Sequence, residues 1–152
     1  MAEGFEGRHG FPPDLNQVRP ADEDDRDAAR ALAGAGAAPA DLVTFYDVIG
    51  DISWPDVGNG YFIDPARDVL GRLTEYGAVG IGPGQEADGL VVGSNGGGLS
   101  YVVTPDGAIH RTRTASLDEP ELDRVADDLR QFLRLLEQSL TRFVATGEPG
   151  YL

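Results

Sequence analysis

The chain contains neither cysteine nor lysine. The first absence excludes thiol nucleophiles, disulfides and cysteine-ligated zinc, and it is uninformative about compartment. The second removes the lysine of phosphate-binding loops, the Schiff-base lysine and the lysine general base together, because all twelve positive charges are arginine. Histidine is almost as scarce, with only His9 and His110, so a two-histidine metal motif at helical spacing is absent. No stretch reaches the roughly 18 apolar residues of a membrane span. The N-terminus carries Glu3 and Glu6 where a secretory leader would be basic and then apolar. A soluble, cytoplasmic protein is expected, with no cofactor.

What is abundant is negative charge. Twenty-six carboxylates against twelve arginines give a net charge of −14 over 152 residues. Such a surface repels phosphate backbones and anionic lipid and attracts basic partners, so neither nucleic acid nor membrane is an expected partner. The length suits one domain.

The densest strand signal lies in Gly89 to Arg111. Leu90-Val91-Val92 is an apolar run ended by Ser94-Asn95-Gly96-Gly97-Gly98, where consecutive glycines remove side-chain packing and permit positive φ. Leu99, Tyr101 and Val103 then alternate with Ser100, Val102 and Thr104, which puts one apolar face on a core. Thr104-Pro105-Asp106-Gly107 is a turn that returns the chain as a strand over Ala108 to Thr112. The expected fold class is α+β: an antiparallel three-stranded meander flanked by helices.

Residues 1–21 mix glycine, proline and charge without period and read as an N-terminal tail. The domain is expected over 22–146, with 147–152 as a C-terminal tail. Asp22 to Asp27 precede an Ala-rich stretch as a solvated acidic helix start, and Gly34 to Ala38 end that helix. Pro39 opens a second helix bearing Leu42, Phe45, Tyr46 and Ile49 on one face. Asp51 to Gly60 is dense in turn residues and reads as a structured loop holding the lone Trp54, with Asn59-Gly60 as a tight turn into the strand Tyr61 to Ile63. Asp64-Pro65 resembles a helix start, Val69, Leu70 and Leu73 mark its apolar face, and Gly77 stops it. Gly80 to Gly89 reads as loop. Ser116, Asp118 and Glu119 are candidate caps of the longest helix, with Pro120 in its first turn and an apolar stripe from Leu122 through Val125 and Leu129 to Phe143. Gly147 and Pro149 end it.

Catalytic sets are hard to assemble. His110 has no cysteine or oriented serine to activate and reads as a half-exposed strand residue. The glycines of 93–98 match neither a phosphate loop nor a dinucleotide fingerprint. The pairs Asp47/Asp51, Asp51/Asp56 and Asp123/Asp127 are too ordinary in so acidic a chain to mark an acid/base couple.

Three segments carry a resemblance. Pro39 to Gly50, then Trp54-Pro55-Asp56-Val57 with Asn59-Gly60-Tyr61-Phe62-Ile63, then Val92 to Leu99, in this order and spacing, resemble the SUKH (Smi/Knr-like) superfamily over about residues 22–143. Asn95 stands where the resemblance leads one to expect an acidic residue. The resemblance implies an antiparallel sheet flanked by helices, no catalytic residues and a protein-binding role. Bacterial members include immunity proteins that neutralise toxins, often nucleases.

The leading expectation is therefore a non-catalytic immunity module that binds a basic toxin domain. Aromatic and carboxylate groups on and beside the turn-rich loop suit an Arg/Lys-rich surface, so Asp47, Asp51, Trp54, Asp56, Tyr61, Glu86 and Asp88 are the candidate contacts. The alternatives are a regulatory or scaffold domain of similar fold with a non-toxin partner, and a small hydrolase using Asp51, Asp56 or His110.

Overall fold

The computed structural model describes residues 16–36, 38–58, 60–81, 86–118, 120–148 and 152. His9, Asn59, Glu119 and Pro149, and the 82–85 part of the expected loop, lie outside them. Among the described residues twelve elements follow one another: β1 (Gln17–Pro20), α1 (Glu23–Gly34), α2 (Ala40–Val48), β2 (Ile49–Trp54), β3 (Tyr61–Ile63), α3 (Ala66–Tyr76), β4 (Val79–Ile81), β5 (Glu86–Asn95), β6 (Ser100–Val103), β7 (Ile109–Thr112), β8 (Leu122–Ala126) and α4 (Leu129–Thr146). The strands form an eight-stranded antiparallel sheet in the order β1-β2-β3-β5-β6-β7-β8, with β4 paired to the first half of β5. The α+β class is as expected, but the sheet is much wider than the three strands read from the sequence.

The meander is where the sequence placed it. Asn95 Oδ1 accepts from the Gly97 and Leu99 amides at 3.0 and 3.1 Å, an Asx turn that makes the side-chain carbonyl the organiser of the bend. Gly107 takes φ 89° and its amide bonds Thr104 O at 2.9 Å, while Asp106 Oδ1 accepts from the Ala108 amide at 3.2 Å. Tyr101 and Val103 enter the core beside Leu90, Val92 and Ile109. The same core takes side chains from all four helices, with Tyr101 edge-on to Phe132 of α4 at a ring-centroid distance of 4.9 Å. On the opposite face Val102 is buried too, because glycine at 89 lets Val102 and Ile81 close over the bare backbone.

Five expectations give way. Residues 17–20 are an edge strand and not tail: Val18 pairs with Ile52 and Arg19 with Asp51, and Pro20 is tolerated because an edge needs no donor there. Ile49 to Trp54 is a strand, since Gly50, Ile52 and Trp54 alternate inward despite the turn-like composition; of the expected loop, residues 55–58 and 60 stay outside the strands. Leu122 to Ala126 pairs with β7, and α4 begins at Leu129. Asp128 caps it by accepting from the Gln131 amide at 2.7 Å, while Gln131 Oε1 accepts from the Asp127 amide. The three- and four-residue spacing of Leu122 and Val125 thus ran the helical pattern one strand too far. Part of the expected 80–89 loop is paired strand, Ile81 facing Glu86 and Val79 facing Gly89. At the far end, Leu152 packs into the core from the segment read as a tail.

Candidate partner interface

The site is organised by Arg19. Opposite it in the β1–β2 register is Asp51, and Arg19 Nε donates to Asp51 Oδ2 at 2.6 Å. Its two terminal nitrogens grip Asp25 of α1, Nη1 to Oδ2 at 2.8 Å and Nη2 to Oδ1 at 3.1 Å. The guanidinium lies over the bare Cα of Gly50, where a Cβ would occupy its place. Asp25 is fully buried, so the expectation of a solvated acidic helix start fails at this one residue. Its second oxygen also accepts from the Asp22 amide at 2.9 Å, completing a reciprocal cap with Asp22 Oδ1, which accepts from the Asp25 amide. The Arg19 hydrogen bonds hold the Asp25 carboxyl down at about 2, against the opposing effect of burial.

Around this pair stands exposed negative charge. Asp22, Glu23, Asp24 and Asp27 of the α1 start and Asp47 at the end of α2 are all exposed. Two arginines share the corner. Arg26 gives its donors to backbone, Nε to Asp47 O and Nη2 to Ala21 O, both at 3.1 Å. Arg30 bonds Asp27, which raises its pKa, and the charges of Asp47 and Glu23 add to the same effect.

The candidates read from the sequence do not form one surface. Asp47 and Asp51 flank the Arg19 corner. Asp56 sits at the other end of β2, clasped both ways by Asn16: Asn16 Nδ2 donates to Asp56 Oδ2 at 2.9 Å and the Asp56 amide to Asn16 Oδ1 at 3.2 Å. Trp54 is half-buried against the core. Tyr61 is only 3% exposed, a core residue whose ring offers no surface to a partner; alternation in β3 turns it inward together with Ile63. Glu86 opens β5 opposite Ile81. Asp88 is exposed beside Ile81, Asp106, His110 and Arg124, in a shallow groove away from the helices. His110 is half-buried there, its Nδ1 without a hydrogen-bond partner among the described residues, and burial, then Arg124, lowers its pKa. Among the described residues no three His, Cys, Asp or Glu gather closely enough to hold a metal ion, and no helix is long and apolar enough to cross a membrane.

The residues that sequence reasoning missed are Arg19 and Asn16, which hold Asp51 and Asp56 from within the supposed tail. The available signal was the alternation of Val18 and Pro20 with Arg19 just before a capping box. Comparison with protein-family models and with curated proteins finds no match to this chain.

Proposed function

We propose that the chain is a non-catalytic binding module of immunity type, which neutralises a basic toxin domain, a nuclease by charge logic, through direct contact. The observation that carries this reading is the corner around Arg19. Five exposed carboxylates, Asp22, Glu23, Asp24, Asp27 and Asp47, lie at the start of α1, which the Arg19–Asp25 ion pair fastens to the sheet edge, and at the end of α2, which Arg26 ties to α1. A rigid acidic surface matches a basic nucleic-acid-binding cleft, excludes the nucleic acid by occupying it, and speeds encounter by long-range attraction. The net charge of −14 and the ordered resemblance to SUKH immunity proteins support the same reading.

The test is co-expression with the toxin-like protein encoded beside the gene. The reading expects protection of the host cell and a stoichiometric complex with a dissociation constant in the nanomolar range. Absence of both, or capture of a housekeeping protein in place of any toxin, contradicts it.

A further inference from the structure

A second surface, lined by neither Arg19 nor the carboxylates of its corner, has features of its own. Between α3, the β4–β5 pair and the Leu117–Asp118 turn runs an open groove of about 860 Å³. Its floor is apolar: Val69, Leu90 and Val91 are buried, and Leu73 and Val79 half-buried. Two large apolar side chains stand exposed on its rim, Tyr76 at 76% and Leu117 at 39%. Large exposed hydrophobics are few among the described residues, and two of the four line this one groove.

The charge around the groove selects what fits. Arg72, the lining cation, is already engaged: Nη2 donates to Asp64 Oδ2 at 3.1 Å and Nη1 to Val91 O at 3.0 Å. Asp118 is exposed on the rim with no ion-pair partner among the described residues. The carbonyl end of α3 points its negative pole at the same place, and its last turn carries no basic residue to offset it. The free potential is thus negative, above an apolar floor, beside an exposed tyrosine ring.

Resting on the binding-module reading, we infer that this groove receives an extended partner segment in which arginine alternates with aliphatic residues. The aliphatic side chains enter the floor over Leu73 and Val79. An arginine lays its guanidinium on the Tyr76 ring and pairs with Asp118, where stacking and charge act together. An acidic or purely apolar segment meets repulsion or leaves the rim unpaired.

The test is a nitrogen-15 NMR titration of the full chain with a capped heptapeptide alternating leucine and arginine, and with its glutamate counterpart. Saturable shifts are expected over residues 69–80, 89–91 and 117–118 with the arginine peptide, and none with the glutamate one. Tyr76→Ser with Leu117→Ser, both exposed and so compatible with folding, should weaken the arginine peptide at least tenfold. Asp118→Arg should do likewise, while Val48→Ser, on an exposed site of α2, should change nothing. No saturable shift, shifts confined to the α1 corner, or unchanged affinity in the groove variants overturns the inference. Any of these leaves the module reading to be decided separately, by complex formation with the toxin.

Discussion

Arg19 and Asp25 form a two-pronged ion pair that fastens the edge strand β1 to the first turn of α1, with the Asp25 side chain wholly removed from solvent and that of Arg19 at 29% exposure. A pair so placed contributes less by its attraction than by what its rupture leaves behind, an unpaired carboxylate with nowhere to hydrate. Arg19→Ala is expected to destabilise the protein by about 3 kcal/mol, and Asp25→Ala by a similar amount because it also removes half of the cap. Urea unfolding followed by circular dichroism measures both. A loss under about 0.5 kcal/mol would assign the pair no structural role.

The same pair sets an acid dependence. Asp25 is held at about 2, below the ordinary carboxylate value, chiefly by its hydrogen bonds to Arg19. Its contribution is complete above the unfolded value near 4 and disappears as pH falls through that value toward 2, amounting to about 2 kcal/mol. Asp64 works in the opposite sense, since burial raises its pKa against the pull of Arg72, so its protonation in the folded state begins sooner. The stability difference between the wild-type protein and Asp25→Asn should therefore shrink steadily from pH 5 to pH 2. A difference constant over that range would contradict the assignment.

Two buried tyrosines separate a bonded hydroxyl from an unbonded one. Tyr46 Oη donates to Asp64 O at 2.7 Å, so Tyr46→Phe leaves that carbonyl short of a donor and should cost about 1 to 2 kcal/mol. Tyr101 is 1% exposed and its hydroxyl has no hydrogen-bond partner among the described residues. Tyr101→Phe should be neutral or stabilising by up to about 1 kcal/mol. Thermal melts of the two variants give the comparison, and equal losses would refute it.

Glycine has two opposite roles in this chain. At Gly93 the β3 backbone approaches so closely that a Cβ would run into the Phe62 carbonyl, and Gly93→Ala should cost at least about 2 kcal/mol. At Gly71, inside α3, a Cβ meets nothing within 4 Å, and Gly71→Ala should stabilise by roughly 0.5 to 1 kcal/mol. Denaturant midpoints moving in the same direction would contradict this contrast, and a Gly93→Ala midpoint that did not fall would contradict the β3–β5 approach.

Local chemistry was legible where a few neighbouring residues decide the outcome. The turns at Asn95 and Thr104 to Gly107, the α1 start at Asp22 and the α3 stop at Gly77, with φ 77°, follow from residues adjacent in sequence. What escaped depends on distant pairing. Nothing local distinguishes Gln17 to Pro20 from a tail until β2 is beside it, and Gly50-Asp51-Ile52-Ser53 looks like loop until that pairing turns Ile52 inward. The same holds for the site. Asp47 and Asp51 could be named from charge, but Arg19, 32 residues before Asp51, could not be placed against it, and Tyr61 looked available only because its strand's inner face was unassigned.

The central claim, that an acidic corner steers a basic partner onto the chain, is tested most directly by the association rate with the neighbouring toxin domain as ionic strength rises from about 0.01 to about 0.15 M, using the wild-type protein and a Glu23→Arg/Asp47→Arg variant. The account predicts a fall of at least about tenfold for the wild type, and a slower rate with a shallower salt dependence for the variant with its fold intact. Equal rates and equal salt slopes for the two proteins would contradict it.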